Sequence, residues 1–239
     1  MTRVEMRKKG RPLHGLSICF DLDGTLIDTA PDLVRVTNDV IATEGLPETN
    51  YALARQAIGL GSRRLISDAL DRAGHTVESQ RLDIMQAEFL ERYADDIAQL
   101  STPFPGVIDT LHTLRTLGAR LSVCTNKPGW LARPLLDVLE MTDWFDRIVG
   151  GDEASYAKPD PRHIYQTVGH QDGARIVMVG DGLPDMGAAR NARALAVLVN
   201  FGYSHVPQIR LRADVRLRNF RALTPTLIDR YRSAPMRRL

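Results

Sequence analysis

Cysteine, lysine and long apolar runs are what this chain has least of. Its 239 residues contain two cysteines, Cys19 and Cys124, each inside an apolar run and neither at a zinc-like spacing. That excludes a disulfide framework and a cysteine-ligated zinc site, and reads as small buried hydrophobes in a reducing compartment. No stretch approaches the roughly 18 apolar residues that a membrane span needs. The basic opening, MTRVEMRKKGRPLHG, is followed by LSICF and then at once by Asp21 and Asp23, which argues against a secretory signal. The expectation is a cytoplasmic protein with no membrane partner. Excess charge is missing too: the formal net charge of +2 is too small to argue for a polyanionic partner. Arginines do gather near the C-terminus in RLRADVRLRNFRAL. Without interleaved aromatics beyond Phe220 and Tyr231 they read as a solvated surface strand, helix and tail, and no nucleic-acid partner is expected. Oligomeric state has no signature in the sequence.

What is present is an ordinary globular composition, 44% apolar and 25% charged, in a chain long enough for one large domain with a smaller insertion. Four short apolar runs each end in polar or glycine-containing segments: LSICF before Asp21, RLSVC before Thr125, RIVMV before Gly180-Asp181, and ALAVLVN before Phe201-Gly202. Runs bounded this way fit buried parallel strands. Helical patterns lie between them, at Val107 to Leu117 with the apolar set Val107, Ile108, Leu111 and Leu114, and again from Gly129. Alternating strand and helix predicts an α/β fold, a doubly wound and mainly parallel sheet. Residues 31–101 differ. They carry helix-spaced apolar residues with no convincing strand, punctuated by Pro31, Gly45, Pro47 and Gly74. This predicts an all-helical insertion, with the core formed by 1–30 and 102–239 and a hinge or linker around Pro103, Pro105 and Gly106.

In an open parallel sheet, ligands bind beyond the carboxyl ends of the strands. The polar residues expected there are Asp21 and Asp23, Thr125 and Asn126, and Asp181 and Asp185, joined by Lys158 if its loop folds back to the same end. Four carboxylates in one crevice would repel one another, which points to a hard cation with oxygen ligands, most simply Mg²⁺. In an extended segment, residues i and i+2 point to one side, so Asp21 and Asp23 can share that crevice. The six histidines show no metal-ligand spacing and no nucleophile partner, and are expected to be structural or exposed.

The order DxDGT, a strand ending in Thr-Asn, Lys-Pro, and GDxxxD resembles the haloacid dehalogenase-like hydrolases, a superfamily made mostly of Mg²⁺-dependent phosphatases, over Leu16 to about Leu223. The resemblance implies a Rossmann-like core with a helical cap. It implies Asp21 as a nucleophile forming an aspartyl-phosphate and Asp23 as general acid and base. Mg²⁺ would be held by Asp21, the Asp23 carbonyl, Asp181 and Asp185. Thr125, Lys158, Asn126 and the turn at Gly24 and Thr25 would cradle the phosphoryl group. GDGLPD departs from the commoner family wording at Gly182 and Pro184, which leaves direct contact of Asp185 with metal open. Asp23 favours phosphate over halide chemistry, and the absence of lysine from 31–100 closes the branch that uses a cap Schiff base. AIGLGSRRLISDAL is similar to the specificity segment of phosphoglycolate phosphatases, with Gly59 and Gly61 allowing close approach and Arg63, or Arg64, placed to pair with an anionic group of the substrate. The expectation is a phosphatase acting on a small phosphomonoester, most simply 2-phosphoglycolate. The alternatives are a sugar phosphomutase with the same motifs, or a non-catalytic phosphate-binding module.

Overall fold

The computed structural model describes residues 11–204 and 206–232; residues 1–10 of the basic opening and 233–239 of the C-terminal tail lie outside them. The strands in chain order are β1 (Ser17–Phe20), β2 (Ile27–Asp28), β3 (Thr102–Pro103), β4 (Arg120–Cys124), β5 (Arg147–Val149), β6 (Ile176–Gly180), β7 (Leu195–Val199) and β8 (Val215–Leu217). Six of them form one sheet in the order β5-β4-β1-β6-β7-β8, with every pair parallel. The four expected runs are β1, β4, β6 and β7. Every residue of β6 and β7 is buried, as the continuous apolar character of such strands requires.

Period-two alternation divides the strand side chains between two apolar layers. Ile18, Phe20, Val177, Val179, Val197 and Val199 face one, while Cys19, Ile176, Met178, Ala196 and Leu198 face the other. Helices cover both faces. On the first lie Leu111 and Leu114, Leu131 and Leu135, and Leu223 and Leu227; on the second lie Ile164, Val168, Met186 and Ala188. Both cysteines are free and buried in the second layer.

One expectation needs correction. In the helix at Val107–Thr116, Val107, Leu111 and Leu114 are buried, but Ile108 is exposed and Thr110 takes the inward place. The stripe at i, i+3, i+4 and i+7 from Val107 leaves position 108 on the solvent side. The C-terminal arginine-rich segment forms a surface strand and helix, as expected. Its strand is a true sheet edge, and Leu217, Phe220, Leu223 and Leu227 are buried while Arg212, Arg218 and Arg221 point outward. Phe220 stacks on Phe20 of the central strand, with ring centroids 5.9 Å apart.

Between β2 and β3 the regular structure is entirely helical: α1 (Ala30–Ile41), α2 (Tyr51–Arg55), α3 (Ser62–Arg72) and α4 (Ser79–Asp95), with two short 3₁₀ turns. Helices α1 and α3 pack on α4, burying Val36, Val40, Leu65, Ile66, Met85 and Phe89. The linker around Pro103 is itself ordered, since β2 and β3 pair antiparallel with Ile27 opposite Pro103 and Asp28 opposite Thr102. The chain thus leaves and re-enters the core through one short ribbon. Among the described residues no helix is long and apolar enough to cross a membrane.

Candidate active site

Three neighbouring parallel strands end at the same level and deliver the polar residues. Phe20 pairs with Val123 on one side and Val179 on the other, so the residues that follow β1, β4 and β6 emerge side by side. The helices that follow the cap in the chain are α5 (Val107–Thr116), α6 (Gly129–Val138) after β4, α7 (Pro161–Val168), α8 (Leu183–Asn191) after β6, and α9 (Leu223–Arg232). Asp21, Thr125 and Asp181 follow the strands directly, and Asp185 stands in the first turn of α8. There its carboxylate accepts from the Gly182 N–H at 3.0 Å, so it also caps its own helix.

Lys158 does fold back to this end. Its ammonium lies 2.9 Å from Asp21 Oδ1 and 2.7 Å from Asp185 Oδ1, and its side chain is 1% exposed. Asn126 makes that possible: its side-chain amide donates to the Lys158 carbonyl at 3.0 Å and accepts from the Lys158 N–H at 2.9 Å. The side chain of Asn126 therefore clamps the lysine loop, a task that spacing along the chain does not reveal.

Gly24 and Thr25 stand behind the site. The Gly24 N–H is engaged by the Ile27 carbonyl at 3.0 Å, so it is not a free donor toward a ligand. Its φ is +78°, and a Cβ would come 2.7 Å from Asp181 Oδ2. Glycine is needed there for both reasons. Gly202 presses on the same aspartate, with a virtual Cβ 2.2 Å from Asp181 Cβ. Beside it the Tyr203 N–H donates to Asp181 Oδ2 at 2.6 Å, and the Thr25 hydroxyl approaches Asp181 Oδ1 at 3.5 Å.

Asp21, Asp181 and Asp185 each offer an oxygen, all within 4.8 Å of one another. One lysine against three carboxylates leaves the cluster short of positive charge. Burial, then Asp185 and Asp21, push the Asp181 carboxyl up to about 8. Burial also raises Asp185, although Lys158 opposes it. Burial disfavours the Lys158 ammonium, but Asp185 and Asp21 outweigh that and hold it charged. An all-oxygen donor set with an uncompensated negative charge fits a hard divalent cation.

A cavity of about 540 Å³ opens over the cluster, lined by Asp21, Asp23, Thr125, Asn126 and Lys158 from the core and by Gly59, Gly61, Arg63, Phe89 and Tyr93 from the helical cap. Arg63 reaches the cavity wall but its guanidinium is also bonded to Asp83 and to Ser79 Oγ. Arg64 pairs with Asp68 at 2.8 Å, with its side chain 59% exposed, and does not line the cavity.

Three residues at the site carry roles that the sequence reading left unassigned. Lys127, buried, donates to the Asp23 carboxylate and to the Tyr93 hydroxyl. The scarcity of lysine was a usable signal for it. Tyr93 had none, since an aromatic at helical spacing reads as core. Tyr203 ties the loop that holds Asp181 to the base of the cap: its hydroxyl donates to Asp28 Oδ1 at 2.6 Å and accepts from the Ala30 N–H at 3.0 Å.

Residues 18–199 match the haloacid dehalogenase-like hydrolase family. The chain is 40% identical over 225 residues to a phosphoglycolate phosphatase of Caulobacter vibrioides, covering 93% of this chain and 95% of that one. It is 41% identical over 222 residues to a phosphoglycolate phosphatase of Agrobacterium fabrum, covering 92% and 95%. The crystal structure of a predicted phosphoglycolate phosphatase from Haemophilus somnus superposes with a TM-score of 0.82 at 27% identity, over 90% of this chain and 98% of that one. With the parallel sheet, the helical cap and the aspartates at the strand ends, these matches make the chain a member of the haloacid dehalogenase-like hydrolases, an enzyme of the phosphatase kind.

Proposed function

We propose that the protein hydrolyses a small phosphomonoester, 2-phosphoglycolate before others, by transferring the phosphoryl group to Asp21 and then to water. The observation that carries this reading is the placement of Asp21 and Asp23 at the end of the central strand, facing a cavity shared by core and cap. The relatives above, named for phosphoglycolate, support the choice of substrate.

Phosphoryl transfer needs positioning and charge compensation more than covalent assistance. Asp21 is the nucleophile: its side chain is 17% exposed, open to the cavity, and its other face is fixed by the Leu22 N–H at 2.8 Å. Asp23 gives a proton to the leaving alcohol and later takes one from the attacking water. Lys158 and the Thr125 hydroxyl bind the phosphoryl oxygens, and the ammonium stabilises the charge they carry in the transition state. Asp21, Asp181 and the Asp23 carbonyl, with Asp185 directly or through water, would hold Mg²⁺, which would supply neutralisation of the phosphoryl oxygens. The cap excludes water and brings Arg63 to an anionic group on the substrate. The two buried thiols suit the cytoplasm.

The cavity volume favours a second reading, a larger phosphomonoester such as a sugar phosphate, because about 540 Å³ exceeds what phosphoglycolate fills. Phosphate release from a panel of metabolites in Mg²⁺ separates the two. The highest kcat/KM on 2-phosphoglycolate is expected; a sugar phosphate far ahead would transfer the assignment, and no phosphate release from any phosphomonoester would end both.

A further inference from the structure

Lys127 sits where the core meets the cap. Its ammonium donates to the Tyr93 hydroxyl at 3.0 Å and lies 3.3 and 3.4 Å from the two Asp23 oxygens. The same nitrogen stands 4.4 Å from the centroid of the Tyr93 ring. Tyr93 is completely buried and stacks on Phe89, one turn earlier in α4. The loop under Lys127 is tethered: its N–H donates to Thr125 Oγ1 at 3.2 Å, and its carbonyl accepts from the Gly151 N–H at 3.0 Å. Among the described residues, Lys127 is the only side chain bonded to the Asp23 carboxylate.

We propose that Lys127 is a positioning residue for Asp23, and that Tyr93 makes this positioning depend on the cap being seated. The proposal rests on the reading of Asp23 as the acid–base group. A buried ammonium must keep partners around it, because leaving it unpaired is costly. With α4 in place, the phenol and ring of Tyr93 hold one side of the ammonium and Asp23 takes the other, so the carboxylate is fixed at the cavity edge. If the cap lifts, Tyr93 leaves with α4 and the ammonium meets water. The one side-chain contact that orients Asp23 is then loosened. Proton transfer would thus be armed only when core and cap enclose a substrate, the arrangement expected where specificity is delivered by closure.

The dependence on leaving group separates positioning from general damage. An alkyl alkoxide cannot leave without a proton, whereas a dinitrophenolate can, and kcat/KM reports the step in which it leaves. In wild-type protein with Mg²⁺, turnover of both an alkyl phosphomonoester and dinitrophenyl phosphate tests the underlying reading by itself. Lys127→Met should then lose on the order of 100-fold in kcat/KM with the alkyl ester, and at least tenfold less than that with the aryl ester. Tyr93→Phe, which keeps the ring, should lose on the order of tenfold with the alkyl ester in the same selective manner. Combined with Lys127→Met it should add nothing, since both act through one contact. Equal losses with the two esters would overturn the positioning role. Additive losses in the double variant would overturn the link to the cap. Should Lys127→Met fail to fold, the selectivity of Tyr93→Phe decides the matter.

Discussion

Asp32 Oδ2 accepts hydrogen bonds from both the N–H and the hydroxyl of Ser101, at 2.7 and 2.6 Å, across 69 residues of sequence. Asp32 opens the cap and Ser101 closes it, so one buried carboxylate fastens the two ends of the insertion. The Leu100 N–H and Arg35 complete its partners. Asp32→Ala strips several buried donors of their acceptor and should destabilise the protein by about 3 kcal/mol. Chemical denaturation of the variant checks this; a loss under about 1 kcal/mol would show that the ribbon of β2 and β3 holds the two ends of the insertion together without this carboxylate.

Lys158 is the cation between Asp21 and Asp185. Lys158→Met should lower kcat by on the order of 1000-fold, since it removes charge stabilisation from a water-poor site. Lys158→Arg should not restore it, because a branched guanidinium does not fit where the ammonium is 1% exposed. Steady-state kinetics of both variants decide, and rescue by arginine would mean that charge alone is required there.

The raised Asp181 carboxyl carries a pH signature. Folding lifts it from 3.8 to about 8, so between those values the folded protein keeps a proton that the unfolded chain has released. The unfolded state then binds fewer protons, and metal-free protein loses stability as pH rises. His163 acts in the opposite sense: burial lowers it from 6.5 to about 4, so its neutral folded form gains stability as pH rises to about 6.5. The clear window is therefore about pH 6.5 to about pH 8. Thermal melts in chelator should show Tm falling across that window, and added Mg²⁺ should raise Tm more at its upper end than at its lower. A flat chelator profile with no Mg²⁺ effect would remove the metal from the account.

Much of the site was legible because its residues follow directly on apolar runs. Asp21, Thr125 and Asp181 had to lie together once LSICF, RLSVC and RIVMV were neighbouring parallel strands. Lys158 depended on a loop turning back, which the Asn126 clamp explains only in three dimensions. Long-range contacts around the base of the cap were not legible. Tyr93 with Lys127, Tyr203 with Asp28 and Asp32 with Ser101 are separated by 34, 175 and 69 residues, and no local periodicity encodes such pairs. The other sheet edge escaped for another reason: β5 has three residues, too few for alternation to be read.

Arg63 lines the cavity while bonded to Asp83 and Ser79, and a guanidinium has donors left over for a ligand. Arg63→Ala should lose on the order of 1.5–3 kcal/mol of transition-state stabilisation with 2-phosphoglycolate, the range of a charge-assisted hydrogen bond. A neutral aryl phosphate should lose far less. Comparing kcat/KM for both substrates checks it: equal losses would make Arg63 a support of the cap, and no loss would leave it an exposed ion pair with Asp83.

The central claim is that Asp21 carries the phosphoryl group. Protein acid-quenched during turnover and digested should yield, by mass spectrometry, a phosphorylated peptide with the label on Asp21. The amount should rise in Asp23→Asn, where hydrolysis of the intermediate lacks its base, and vanish in Asp21→Asn together with phosphate release. Phosphate release by Asp21→Asn at a rate near wild type, with no labelled peptide in any variant, would contradict the account.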